Sequence, residues 1–439
     1  MNIMFLTSSS GTHIIPLKPL IDELLRKGNN IFCLGTISNK AKIESYGVSF
    51  IEYPFNMEPN QLSNSKTNEM MLRVNKLWKE GKIKEGYNLF LEEDIELMFD
   101  VTKERLRLLK EVIRDNKIDI IFRDAVDKFG YHLSVEENIP SIGYITHNLY
   151  SKEFFEQNPN YYYAIFMDAK NRIVHLPRGY FENFRNKVEE IYQKNSTKKG
   201  NYSVFAHHEF DPMSNFTIIF STDFLQPLQF SNQNRKYLTI YPDLDRFKVE
   251  KKVPKRLINF VSKQEKLIYI ASGSLIPQSI TYYKKFIDIL HDKGYGIVIS
   301  CKKFHEELKR YCNEKQCNET VFVGEFIPQQ FILSKADLFI SHGGQNSTLE
   351  AIFHRVPILV TPMTSEQRMN GLIIEKAGVG MTIYDFRKEH ITMGKMFDYL
   401  LNNKKVEKKL ETYSDNMKKN INDFSSMWEY LKCKTVISK

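Results

Sequence analysis

At 439 residues the chain is too long for one ordinary domain and long enough for two or three, and its 42% hydrophobic residues supply cores and exclude a disordered or fibrous protein. A formal charge of +9, from 62 Lys and Arg against 53 Asp and Glu, permits attraction to anionic ligands, nucleic acid or an anionic membrane, although a dispersed lysine excess reads first as a solvated surface. Five cysteines, an odd number with no CxxC pair, argue against a disulfide framework or structural zinc and favour a reducing cytoplasm. No nucleic-acid-binding module is recognisable, and no stretch of about 20 apolar residues is present to span a membrane.

Residues 2–7 form too short an apolar run for a signal peptide and lack a basic leader, so they read as a first strand. The small-residue loop Ser8-Ser9-Ser10-Gly11-Thr12 leads to His13, and Pro16 opens an amphipathic helix that ends at Lys27-Gly28. Residues 30–35, 118–123 and 141–146 read as further strands, with helical patterns over 68–78 and 92–116. The block 150–215 is rich in Tyr, Phe and Asn without strand alternation. The charged stretch 245–265, with Lys251-Lys252-Val253-Pro254-Lys255, reads as a linker. A second series of strands and helices starts at 266 and ends near 403, and a last helix is expected over 406–432. Strands and helices thus alternate twice, which predicts an α/β chain of two Rossmann-like βα-repeat domains with mostly parallel sheets.

Chemistry concentrates in the second series. Residues 336–340 read as a buried strand, and Gly343 and Gly344 let the backbone turn tightly beside a ligand. Asn346 and Ser347 then stand where amides and side chains cap a helix, an end suited to phosphate oxygens. His342 can donate to a phosphate, and Glu350, one turn on, is an acceptor suited to ribose hydroxyls. A second strand, 356–362, is closed by Pro362 and followed by Glu366-Gln367 and Asn370. On the His-Gly-Gly turn and Asn346-Ser347 alone, a plain turn and a plain cap are equally good readings. His13 alone is likewise an ordinary loop histidine, although an unperturbed pKa of about 6.5 suits a base. Asp243-Leu244-Asp245 reads as a turn, and His207-His208-Glu209 with Asp211 as a polar loop, so no metal site is expected.

The run from His342 to Asn370 resembles the donor-binding signature of the family 1 glycosyltransferases, the UDP-glycosyltransferase superfamily, among them soluble bacterial macrolide and natural-product enzymes. Three positions depart from the usual pattern: Gln345 stands where many plant members have Trp, Arg355 replaces Gly, and Glu366 replaces Asp. The resemblance implies a GT-B fold, two Rossmann-like domains facing each other across a cleft. Residues 1–240 would bind the acceptor, 241–265 would link, 266–405 would bind the nucleotide sugar, and 406–439 would pack back on the first domain. It also implies that His342, Gly344, Asn346 and Ser347 hold the diphosphate, Glu350 the ribose, and Glu366 and Gln367 the sugar hydroxyls. Ile327 to Gln329 resembles the segment carrying the nucleobase, and Ser272-Gly273-Ser274 a loop whose amides and hydroxyls approach the diphosphate, Ser272 and Ser274 included.

His13-Ile14-Ile15-Pro16 resembles the first loop of the family, with Thr12 where Gly is usual, which makes His13 the expected base. Asp124, after the strand 118–123, is its expected orienting partner, with Asp127 the alternative. The activity so implied is metal-independent, inverting transfer of a hexose, glucose first, from a UDP-sugar, or a dTDP-sugar, to a small and hydrophobic or aromatic acceptor. No cofactor is expected beyond the nucleotide sugar substrate, and the state is monomer or homodimer. Other readings stay open: a peripheral enzyme acting on a lipid or sterol, for which the pairs Lys404-Lys405, Lys408-Lys409 and Lys418-Lys419 allow weak membrane-surface contact; a non-catalytic helper of the same fold, against which the His13 and Asp124 pair argues; and a sugar-nucleotide epimerase.

Overall fold

The computed structural model describes residues 1–8, 11–55, 103–127, 129–151, 214–226, 236–250, 252–272, 278–383 and 390–437, with scattered positions at 73–89, 154 and 211–212. The aromatic block 155–210, the helical pattern 68–78, His207 to Glu209 and Ser274 fall wholly or largely outside the described residues.

Seven strands make the first sheet: β1 (Asn2–Leu6), β2 (Asn30–Gly35), β3 (Ser49–Glu52), β4 (Ile120–Asp124), β5 (Ser141–Ile145), β6 (Phe216–Phe220) and β7 (Lys236–Ile240). Their order is β3-β2-β1-β4-β5-β6-β7, and every pairing is parallel. The second sheet holds β8 (Leu267–Ala271), β9 (Gly296–Ser300), β10 (Val321–Gly324), β11 (Leu338–Ser341), β12 (Ile358–Val360) and β13 (Gly380–Thr382), again all parallel, in the order β10-β9-β8-β11-β12-β13. Both sheets are therefore doubly wound, and each has one switch point, between β1 and β4 and between β8 and β11, where the crossovers diverge and leave a crevice at the carboxyl ends.

Burial on both faces explains the near-continuous apolar strands. In β1, Ile3 and Phe5 join one core layer and Met4 and Leu6 the other. In β8, Tyr269 lies on one side and Ile268 and Ile270 on the other. One core layer crosses the domain boundary: Tyr150, Leu225 and Tyr241 from the first half pack with Phe339, Met369 and Ile373 of the second.

The C-terminal segment departs from the single helix expected. It forms two, Lys404–Lys419 and Ser425–Ile437, separated at Asn420, whose backbone ψ of 134° is extended. The first belongs to the second domain, where Ser414 donates to the Phe353 carbonyl at 2.7 Å and Arg355 pairs with Asp415 at 2.8 Å. The second lies on the first domain, with Met427 and Leu431 in the core layer of Ile3 and Phe5 and Trp428 Nε1 donating to Glu23 at 2.8 Å. At the crossing the Asn422 side chain accepts from the Tyr241 N–H at 2.8 Å and donates to its carbonyl at 3.1 Å, tying the two interdomain passages together. Among the described residues no helix is long and apolar enough to cross a membrane.

Candidate active site

Residues from both switch points meet across the interdomain cleft. After β1 the chain enters the short 3-10 turn Gly11–His13, which presents His13 beside the end of β4. Its Nδ1 lies 2.9 Å from Asp124 Oδ2 and 2.9 Å from Thr146 Oγ1, the latter just past β5. An ionised carboxylate only accepts, so Nδ1 carries the proton, Asp124 takes it, and Thr146 is a second acceptor of the same N–H. Nε2 is thereby left with its lone pair, the state a base requires. Asp124 is held in turn by the Val126 N–H at 3.1 Å and is 1% exposed. Burial opposes a charge on His13, but the Asp124 carboxylate, its hydrogen bond and the more distant Glu366 outweigh it and raise the pKa above 6.5.

The alternative partner, Asp127, serves elsewhere. Its Oδ2 takes the N–H of Gly130 at the start of the helix Gly130–Glu136, and burial pushes its pKa up to about 7. Of the two carboxylates, Asp124 is the one in contact with His13.

On the other wall, β11 ends at Ser341 and the chain turns through Gly343, whose φ of 86° favours glycine and whose missing Cβ would strike Val360 Cγ1 at 2.6 Å. The helix that follows is Gln345–Phe353, capped by Gly344. Asn346 and Ser347 are therefore inside its first turn rather than at the cap. Their backbone N–H groups have no acceptor among the described residues, as the first turn of any helix leaves them. The Asn346 side chain faces outward to other segments: Oδ1 accepts from Arg246 at 2.8 Å and Nδ2 donates to the Thr12 carbonyl at 3.4 Å. His342 is pushed down to about 4 by burial, against a hydrogen bond to the Ala271 backbone, so near neutrality it acts as an uncharged donor.

The remaining expected positions differ in how free they are. Glu350 accepts from Gln329 Nε2, and Gln329 also accepts from Tyr269 Oη at 3.1 Å, which joins the segments assigned to ribose and base. Ile327 is buried in the core, whereas its neighbour Phe326 is 84% exposed and offers a ring face that the sequence reading passed over. Glu366 accepts from Asn370 Nδ2 at 3.2 Å and from the Gln345 N–H, and burial raises its pKa. Gln367 is committed to its own helix, Ser365–Ala377: Oε1 accepts from the Met363 and Thr364 N–H groups at 2.7 and 3.2 Å in a capping box, so that oxygen is not free for a sugar. The Ser272 hydroxyl is bonded to Tyr283 Oη and so is not free for a diphosphate.

A buried polar cluster joins the walls. Asn148 donates to Gln345 Oε1 at 3.2 Å and Asn370 Oδ1 at 3.1 Å and accepts from Ser221 at 2.6 Å, while Gln345 Nε2 donates to Ser221 at 2.7 Å. Gln345, one of the departures from the plant pattern, is thus an interdomain bridge.

The family model for "UDP-glucoronosyl and UDP-glucosyl transferase" matches residues 305–426, which include the whole strand-turn-helix wall. The chain is 20% identical to the uncharacterized UDP-glucosyltransferase YojK of Bacillus subtilis over 95% of its own length and 93% of that protein's. It is 23% identical to the NDP-glycosyltransferase YjiC of Bacillus subtilis over 88% and 84%. The matched segment and the full-length relatives together support a family 1 glycosyltransferase. Its fold is GT-B: the solved glycotransferase of kitacinnamycin superposes with a TM-score of 0.67 over 95% of this chain and 94% of that one at 18% identity. Family 1 glycosyltransferases draw on a nucleotide sugar and use no cofactor, so this glycosyltransferase transfers a glycosyl group from such a donor.

Proposed function

We propose that this glycosyltransferase moves a hexose, glucose first, from a UDP-sugar to a hydroxyl of a small hydrophobic or aromatic acceptor such as a natural product or antibiotic, with inversion and without a metal ion. The observation that carries the reading is the 2.9 Å contact between His13 and Asp124 beside the loop that Asn346 reaches from the other domain. His13 Nε2 takes the acceptor proton as the acceptor oxygen bonds to the anomeric carbon. The bond from that carbon to the diphosphate breaks, and its electron pair leaves on the phosphate oxygen. The N–H groups of Asn346 and Ser347 are preorganised for that charge. One displacement turns an α-linked donor into a β-glycoside. The acceptor class leans on the likeness of fold to the glycotransferase of kitacinnamycin.

Calorimetric titration of the metal-free protein with UDP, dTDP, UDP-glucose and UDP-N-acetylglucosamine tests the donor, followed by product analysis on a panel of hydroxylated aromatics. Saturable binding of UDP and UDP-glucose without metal is expected; binding that appears only after a divalent ion is added sinks the metal-free mechanism.

A second reading, transfer to a lipid or sterol at a membrane surface, is favoured by Ile421, 89% exposed beside Lys418 and Lys419. Salt-sensitive co-sedimentation with anionic vesicles separates the two.

A further inference from the structure

The groups named on the donor wall carry no full positive charge. A nucleotide diphosphate brings negative charge into a site that already holds the carboxyl groups of Glu350 and Glu366, one of them on the Gln345 N–H. His342 is uncharged near neutrality, and helix amides offer only partial charge. Like charges in a half-buried cleft repel strongly, so a full cation is needed close by.

One is present, from outside the family signature. Arg246 lies in the short 3-10 turn Leu244–Phe247, in the passage between the sheets. Its Nη2 donates to Asn346 Oδ1 at 2.8 Å and its guanidinium sits 4.8 Å from the centre of the Phe247 ring; burial lowers its pKa, the charge of Glu350 offsets part of that, and a guanidinium stays cationic near neutrality. Of the five N–H groups of a guanidinium, only that one has a hydrogen-bond acceptor among the described residues. The planar fork is the geometry that pairs with phosphate oxygens.

We propose that Arg246 is a donor-binding residue whose guanidinium pairs with the diphosphate of the nucleotide sugar at the first turn of helix Gln345–Phe353. The assignment rests on the reading of that turn as the diphosphate site. It also gives the passage between the domains a role in donor recognition, since Asn346 ties Arg246 to the Thr12 carbonyl next to His13.

The test compares the full-length protein with Arg246→Met and Arg246→Lys, titrating UDP, UMP and uridine, and dTDP with thymidine in parallel. A hydrogen bond to a charged group contributes about 1.5–3 kcal/mol, so Arg246→Met should weaken UDP about 10- to 100-fold while uridine binds within about twofold of the parent. Arg246→Lys should recover part of the UDP loss. Retained uridine binding shows that the variant is folded. Equal losses for uridine and UDP, the mark of a residue that only supports Asn346 and Glu350, overturn the proposal, as does an unchanged UDP affinity. If the parent binds neither UDP nor dTDP, the donor-site reading itself falls and takes the proposal with it.

Discussion

The paired side chains His13 and Asp124 make the sharpest demands on single residues. His13→Ala should lower transfer by about 10²- to 10⁴-fold, the usual contribution of a positioned base, while UDP affinity stays within about twofold. Turnover close to that of the parent would rule out His13 as the base. Because the pKa of His13 lies above 6.5, the neutral form accumulates only as the pH rises through it, so the rate should climb with an inflection on the alkaline side of 6.5. Asp124→Asn removes the main contribution that raises that pKa and leaves the burial that lowers it. The inflection should then move to lower pH even as the maximum rate falls. A profile that keeps its midpoint in Asp124→Asn means that another group titrates.

Among the elements, two glycines at the entry to the short strand β13 separate backbone strain from steric exclusion. Gly378 ends the helix Ser365–Ala377 in the left-handed region, φ 71°, and an added Cβ would meet only the movable end of Lys409. Gly378→Ala should cost about 1–2 kcal/mol in urea unfolding. At Gly380 the Cβ would lie 2.2 Å from the Ile358 carbonyl oxygen of the neighbouring strand, so Gly380→Ala should cost more than Gly378→Ala, about 3 kcal/mol. The reverse order would show that β12 and β13 give way easily. The strands were legible in the sequence because parallel strands buried on both faces are unbroken apolar runs, as in β8 and β11. Helix ends were less so: Gly344, not Asn346, caps the helix Gln345–Phe353, and one apolar pattern after residue 404 hid the break at Asn420. In the site, His13, Asp124 and the His342 to Asn370 run could be named because local motifs carry them. Arg246 and Asn148 could not, since their partners lie 100 and 197 positions away and only the folded cleft brings them together.

At the scale of the molecule, the core layer shared by Tyr150, Leu225 and Met369 and the buried Asn148 cluster make the two domains one cooperative body. Unfolding should follow a single transition by both fluorescence and far-ultraviolet circular dichroism. Asn148→Ala, which strands the amides of Gln345 and Asn370 and the hydroxyl of Ser221, should destabilise by about 2–3 kcal/mol. Two separate transitions in the parent protein would show the domains to be independent. The helix Ser425–Ile437 has a further consequence, in the order of synthesis. The core layer under β1 includes Met427 and Leu431, which a ribosome adds roughly 200 residues after β7 is complete, or roughly 10–40 s later at about 5–20 residues per second. For that interval one apolar face of the first sheet lacks part of its cover, the rest being supplied by the helix Lys18–Arg26, so the half of the chain made first is the half that finishes last, and it is during that wait that the nascent protein has most need of a chaperone.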